Sequence, residues 1–595
     1  MKRNKRLYLG LIGIIAAVLM VGCSNKNVQK KENSNSGAED AMQFPIATSF
    51  GKTRYGGSIK VALETDTPFT GIFLDELADS HTDSQVSQFG SESLFDTDNS
   101  YNINSSGPAK FKLDRDLKTI TITIKKGVKW SDGHQVNAKD VEYAYEVIAN
   151  KATNSNNYTN SLQDIVGLKE YHAGTAKTIS GIEMPDGENG REVIIHFKEM
   201  HPGMLKSGNG YFWESAVPYH YIRYIPFSKL KDSPEVRKQP MYFGPYRVQH
   251  IEKGQSVTWV RNRYYWRGKP SLNKITVSVV SPKSVANAIK LKTYDFIDVV
   301  NSQWQTIKRV KNYNFIANIP LEYTYLGFKL GKWNSKTGSV QMSKSSKMYN
   351  KSLRQAIAYA MNVTQISDKY THGLTFRIKT LIPSQFGDYY DSSIKGYDYN
   401  LKKANQLLDK AGYKYRKGER YRRTPTDKKL TIRLAAMTGD SSQKAIIKNY
   451  IRQWKKVGLH VELTSGELMQ FNDFYDKIFN DDPSVDMFIA GWTLNDEPSQ
   501  NAMYGAGAPY NFERFETAEN TKLLKEMDSQ KSFSIDYRIN AFKKWQKYMN
   551  DQAFVVPLTS SYNITAVNKK VINYSKEPSQ QNNNHPLWYQ IGFKK

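Results

Sequence analysis

A chain of 595 residues is long enough for several domains, and its 84 lysines and arginines against 57 acidic residues give it a net charge of +27. It has one cysteine, Cys23, which excludes an intramolecular disulfide, so stability must come from packed cores; 38 Tyr, 26 Phe and 10 Trp supply the apolar surface. The basic residues are spread along the sequence rather than gathered in one patch, which weighs against nucleic acid as a partner.

The N-terminus has a basic head (Lys2, Arg3, Lys5, Arg6), an apolar run over 7–20 and then Val21-Gly22-Cys23-Ser24. That order is a secretory signal. With a cysteine at the junction it resembles a bacterial lipoprotein signal, which implies cleavage after residue 22, a diacylglycerol on the Cys23 thiol and a mature chain tethered outside the membrane. Met20 stands three positions before the cysteine, where such signals usually carry Leu. After Cys23 no stretch approaches the roughly 18 apolar residues needed to span a bilayer. Residues 23–47 are rich in Lys, Asn, Ser and Glu and read as a lipidated flexible stalk.

The body begins with a strand over 57–63, followed by an acidic stretch (Asp75, Glu76, Asp79, His81, Asp83) that reads equally as a solvated loop and as a cleft wall. Residues 119–125 alternate Thr and Ile with period two, the mark of a half-buried strand. Gly127 and Ser131-Asp132-Gly133 turn the chain. Asn137 caps a helix with Asp140 in the reciprocal position, and Val141, Ala144, Tyr145 and Ile148 form its apolar face. Ile275, Val277 and Val279 mark another strand. Leu353, Ala356, Ile357, Ala360 and Met361 follow helical spacing, as do Leu401, Ala404, Leu407, Leu408 and Ala411 between the cap Asn400 and the terminator Gly412. Mixed helix and strand without one regular βαβ series, and without a repeat of 20–50 residues, predicts an α/β protein of more than one lobe.

Signatures of catalysis are missing. The ten histidines are scattered, with no His-Glu-x-x-His; Gly-x-Ser-x-Gly and the Gly-Lys-Ser/Thr phosphate loop are absent, and Gly505-Ala506-Gly507 lacks the rest of a dinucleotide fingerprint. The expectation is a binding protein, not an enzyme, with no catalytic residue, no metal and no cofactor.

Five separated segments carry a resemblance. They are the strand-and-turn 122–133 running into Asn137-Ala138-Lys139-Asp140-Val141; Phe243-Gly244-Pro245-Tyr246-Arg247-Val248 with 261–266; 353–361; 401–413; and Asp486-Met487-Phe488-Ile489-Ala490-Gly491-Trp492-Thr493 followed by Pro498. In order and spacing they resemble the peptide-binding lipoproteins of ABC importers, extracellular solute-binding family 5, and most of all those of lactic acid bacteria. The resemblance implies a two-lobed periplasmic-binding-protein-like fold with a hinge, enlarged by an extra domain. Of its three domains, domain I is discontinuous (48–98, 240–320 and 553–595), domain II covers 99–239 and domain III covers 321–552.

It also implies that an oligopeptide lies extended between the lobes and is delivered to the permease and ATPase subunits of an importer. The protein is then a monomer on the extracellular face of the cell membrane, held by lipid at Cys23, with no nucleic-acid partner. The family's ligand strand follows the Gly-Trp motif, so the backbones of Gly491 and Thr493 are expected to pair with the peptide and Trp492 to line the pocket. Family members hold the peptide ammonium with an Asp two residues after the Thr-equivalent position. Here that residue is Asn495, which has no charge, and Asp496 next to it is the favoured substitute. Ser131-Asp132-Gly133 and Gly244-Pro245-Tyr246 read as turn and packing signatures. Three other readings stand beside this one: a non-peptide cargo such as a metal chelate, haem or glycoside; a surface adhesin working through positive charge; and a peptidase.

Overall fold

The computed structural model describes residues 44–78, 80–439 and 442–595. The expected signal peptide 1–22, Cys23, the stalk up to residue 43 and Asp79 lie outside the described residues. Among the described residues no helix is long and apolar enough to cross a membrane.

Among the described residues three sheets have four or more strands, and the chain returns to the first of them. β1 (Ser58–Glu64) is followed by the short helix α1 (His81–Ser87). The chain then forms a four-stranded antiparallel sheet from β2 (Ala109–Asp114), β3 (Thr119–Ile124), β4 (Ile182–Glu183) and β5 (Glu192–His196), in the order β2-β3-β5-β4. The period-two reading of β3 is accurate: Ile120, Ile122 and Ile124 have no exposed surface, and Ile120 and Ile122 face Ile195 and Val193 across the ladder.

Helix α2 (Ala138–Ala149) packs on this sheet. Its capping box is present: the Asn137 side chain accepts from Asp140 N at 3.1 Å, and Asp140 Oδ2 accepts from Asn137 N at 3.0 Å. Asp140 Oδ2 also accepts from Trp130 Nε1 at 2.9 Å, so the cap locks the helix start to the buried tryptophan of the preceding turn. Val141, Tyr145 and Ile148 join the sheet core, whereas Ala144 turns with Tyr143 and Val147 into a second cluster around Ile72, Leu77 and Val217. The helix is therefore clamped on two sides, not one.

Returning, the chain builds β6 (Tyr246–Glu252), β7 (Ser256–Arg261), β8 (Lys274–Val280), β9 (Phe296–Asp298) and β10 (Tyr313–Asn318). With β1 and the late strand β17 (Asn563–Asn568) they make a seven-stranded sheet ordered β10-β17-β9-β1-β8-β7-β6. β1 is central, parallel to both β8 and β9, and buried on both faces as parallel strands are. Gly244 fits tightly: a Cβ there would lie 2.3 Å from Gly90 O, which explains the Gly-Pro-Tyr segment as packing.

The third sheet uses β11 (Glu322–Phe328), β12 (Thr375–Arg377), β13 (Thr431–Ala436), β14 (His460–Leu463), β15 (Met487–Thr493) and β16 (Val555–Ser561), ordered β12-β16-β11-β15-β13-β14. Helices α3 (Lys351–Tyr359), α4 (Leu401–Lys410), α5 (Gln443–Lys455), α6 (Phe471–Phe479) and α7 (Ile535–Gln552) share its core. The predicted face of α3 is buried throughout (Leu353, Ala356, Ile357), and truncating Leu353 to Ala would cost about 2–5 kcal/mol. Asn350 and Asn400 cap α3 and α4 as N-terminal acceptors.

The placement of 553–595 in one domain needs correction. β16 pairs with β11 and β12 and so belongs to the third sheet; the chain leaves that sheet at Tyr562, one residue before β17. The two passages into and out of the third sheet are thus short: 319–321 between β10 and β11, and Tyr562.

Candidate functional site

A cavity of about 310 Å³ lies between the seven-stranded and the third sheet, at the two passages that join them. One wall comes from β1 and β9 (Val61, Leu63, Phe296, Asp298), the other from the end of β15 (Thr493, Leu494, Asp496) and from Leu321 and Glu322. Away from the passages the two halves also touch. Gln530 Nε2 donates to Met200 O at 2.7 Å, and the Arg115 guanidinium lies 4.1 Å over the Phe533 ring. These contacts hold the two halves together beside the cavity.

β15 is where regular structure meets this space. Its partner on one edge is β11, in antiparallel register from Met487↔Phe328 to Thr493↔Glu322. On the other edge β13 pairs only as far as Ile489. The N–H of Leu494 donates to Leu321 O at 2.7 Å. Strand alternation then directs the backbone groups of Trp492 and Ala490 toward β11, and those of Gly491 and Thr493 toward the opposite edge. Among the described residues that edge has no backbone partner beyond Ile489; the Tyr475 hydroxyl donates to Gly491 O at 3.4 Å. Gly491 and Thr493 therefore present a short free strand edge, and Thr493 brings it to the cavity.

The other predicted site residues separate. Asp496 lines the cavity and is buried, whereas Asn495 is exposed and does not line it. Burial pushes the Asp496 carboxyl up to about 7, against a hydrogen bond from Asn584 and the attraction of Lys206. Lys206 Nζ is itself engaged, donating to Ser100 O at 2.7 Å and Asn102 Oδ1 at 3.1 Å. Trp492 does not line the cavity. Its ring stacks on Phe512 at 5.5 Å and 7° and meets Tyr510 edge-on at 5.9 Å, because the strand's alternation sends it into the aromatic packing of its own lobe. Glu497 pairs with Arg538, which also reaches Asp528 at 3.2 Å, so Glu497 serves a buried ion cluster.

Within the acidic stretch, Glu76 and Asp83 are buried rather than solvated. Asp83 has no exposed surface and accepts from the N–H groups of Thr70, Gly71 and Ile72 at 2.7, 3.0 and 3.2 Å, and from the Thr70 hydroxyl. Glu76 accepts from Trp213 Nε1 at 2.7 Å, and burial together with the nearby Asp75 pushes it up to about 8. Among the described residues of this stretch, His81 alone lines the cavity.

Sequence reasoning missed the C-terminal wall. Lys576, buried and donating to Asn563 O at 3.0 Å, is pushed down to about 8 by burial. Beyond it, β18 (Gln581–Asn582) and β19 (His585–Pro586) form a tight hairpin through Asn583 and Asn584, both at positive φ (51° and 58°). Its Gln581, Asn584 and His585 face the cavity. The Asn-Asn pair was the available signal, since a two-residue hairpin turn favours residues that tolerate positive φ.

Known proteins were then compared. The family model described as bacterial extracellular solute-binding proteins, family 5 (middle) matches residues 78–514. The chain is 38% identical to the oligopeptide-binding protein OppA of Lactococcus lactis subsp. cremoris (strain SK11) over 599 residues, covering 100% of this chain and 98% of that protein. It is 24% identical to the oligopeptide-binding protein AppA of Bacillus subtilis (strain 168), covering 99% of each. Among solved structures, lactococcal OppA complexed with an endogenous peptide in the closed conformation superimposes with a TM-score of 0.79 at 40% identity, covering 90% of this chain and all of the other. With Bacillus subtilis AppA in complex with a nonapeptide the TM-score is 0.67 at 21% identity, covering 91% of this chain and all of the other, a likeness of fold. The two-lobed architecture, the cavity at the crossings and these matches agree: the chain belongs to the bacterial extracellular solute-binding proteins, family 5.

Proposed function

We propose that this protein captures oligopeptides in the cavity between its lobes and delivers them to the permease of an ABC importer, tethered outside the cell by lipid at Cys23. The observation that carries the reading is the free edge of β15 at the cavity. An extended peptide laid against Gly491 and Thr493 satisfies their open N–H and C=O groups and gains affinity independent of its side chains. Asp496 holds the peptide ammonium, and the exposed Asn495 takes no part. The ammonium restores a charge that burial disfavours, so the bound state keeps Asp496 ionised.

Rotation about 319–321 and Tyr562 opens the lobes, and a ligand touching both favours the closed form. On this reading the protein acts as a monomer and a binder, with no reaction of its own. Native mass spectrometry of the full-length protein, extracted in detergent and never refolded, tests it. Bound masses that resolve into peptides on denaturation are expected. A protein that carries no peptide and takes up none from a mixture of lengths would overturn the reading.

A further inference from the structure

Outside the cleft, three side chains converge on one point. Asp132 Oδ2 accepts from His134 Nδ1 at 2.8 Å and from His220 Nε2 at 2.9 Å, and the three atoms lie within 4.8 Å of one another. The two imidazole rings are 4.3 Å apart at 31°. We propose that Asp132, His134 and His220 form a binding site for a divalent transition-metal ion of the zinc class.

The scaffold under the three groups is fixed from both sides. The turn carrying Asp132 and His134 is held by Gly133 N donating to Trp130 O at 2.9 Å and by Ser131 N donating to Tyr242 O at 2.9 Å. Gly133 sits at φ +105°, and a Cβ there would lie 3.0 Å from the Tyr264 ring, so this bend requires glycine. His220 follows Tyr219, whose N–H donates to Asp140 Oδ1 at 3.0 Å, and the same aspartate holds Trp130 Nε1. Asp140 therefore sets the distance between the two segments. The ligand atoms come from separate parts of the chain, yet both are tied to one buried carboxylate.

The donor set selects the ion. Two imidazoles and one carboxylate suit Zn²⁺, Ni²⁺ or Cu²⁺, whereas Ca²⁺ and Mg²⁺ take mainly oxygen donors. Bonds of about 2.0–2.2 Å to nitrogen and oxygen place tetrahedral donors about 3.3 Å apart. The two contacts to Asp132 must open by roughly half an ångström from that comparison, which side chains exposed by 65% (His134), 31% (Asp132) and 28% (His220) allow. In the ion-free form each imidazole presents an N–H to Asp132. On binding, the nitrogen that faced Asp132 offers its lone pair to the ion, and the ring's N–H is carried on the other nitrogen. Three protein ligands leave at least one position open to water. None of the three residues lines the peptide cavity, so occupancy is independent of the proposed ligand.

The test is titration of the full-length protein with Zn²⁺ by calorimetry and with Co²⁺ by absorption, alongside His134→Ala, His220→Ala and, as a control for the cavity histidine, His81→Ala. One equivalent is expected to bind, with intense Co²⁺ bands of four-coordinate geometry. Each site variant is expected to lose roughly ten- to hundredfold in affinity while His81→Ala loses none. Zn²⁺ should also raise the melting temperature of the wild type and of His81→Ala, and raise it less in either site variant at the same Zn²⁺ concentration. Equal affinity in wild type and His134→Ala/His220→Ala, or Co²⁺ bands of purely aqueous six-coordinate type, would overturn the proposal.

Discussion

Two buried aspartates, Asp83 in the first turn of α1 and Asp496 just past β15, differ in what surrounds their carboxyl groups. Asp83 spends its acceptor capacity inside the protein, on three backbone N–H groups and a hydroxyl. Asp496 sits at a cavity wall, with Asn584 and an already engaged Lys206 as its neighbours. The first closes a loop; the second faces the cavity. Burial alone does not mark a site. On the proposed reading, what marks it is a buried carboxyl at a cavity wall beside an open strand edge.

The sharpest way to break this contrast is to delete each carboxylate. Asp83→Ala strands two buried N–H groups and a third that is part-buried, and is expected to cost about 3 kcal/mol or more of stability, read by denaturant unfolding. Asp496→Asn should act with the opposite sign on the ligand-free protein, raising its stability by about 1 kcal/mol or more, because it removes a carboxylate whose ionised form burial penalises. The same change is expected to lower affinity for peptides with a free amine at least tenfold by calorimetry, and to leave N-acetylated peptides nearly unaffected. Stabilisation without any loss of affinity would remove Asp496 from the site.

Acid dependence sharpens the comparison further. The folded carboxyl titrates at about 7 and the unfolded one near 4. Between those values the folded state holds a proton that the unfolded state has lost, so Asp496 stabilises the empty protein below pH 4 and this contribution fades as pH rises through 7. Glu214 and Glu92, each pushed up to about 7 chiefly by burial, act in the same direction. Peptide binding requires the ionised form and should weaken by up to about tenfold per pH unit below 7, an effect Asp496→Asn abolishes. The smallest expected effect belongs to Asn495→Ala: exposed and outside the cavity, it should change stability by less than about 0.5 kcal/mol and binding not at all.

Much of the scaffold was legible because local rules and tertiary packing agree there. The Thr–Ile alternation of β3, the Asn137–Asp140 capping box and the apolar stripes of α3 and α4 each announce their element. The site was legible in part. Gly491 and Thr493 share one edge, which follows from strand parity once β15 is placed. Trp492 lies outside the cavity lining because an aromatic beside a strand end packs as readily into its own lobe, and only the third dimension shows Phe512 beneath it. The passage at Tyr562 was missed because β16 and β17 are nearly continuous in sequence yet belong to different sheets. Lys576 and the hairpin 581–586 reach the cavity from a segment more than 80 residues beyond β15, and no local pattern announces that approach.

The central claim is that a peptide completes the open edge of β15. Backbone amide hydrogen exchange at Gly491 and Thr493, measured with and without saturating peptide, tests it most directly. The account predicts fast exchange at both amides in the empty protein and strong protection on binding, with the amides of Trp492 and Leu494, already directed toward β11, changing little by comparison. Peptide bound at saturation with the Gly491 and Thr493 amides still unprotected would contradict it.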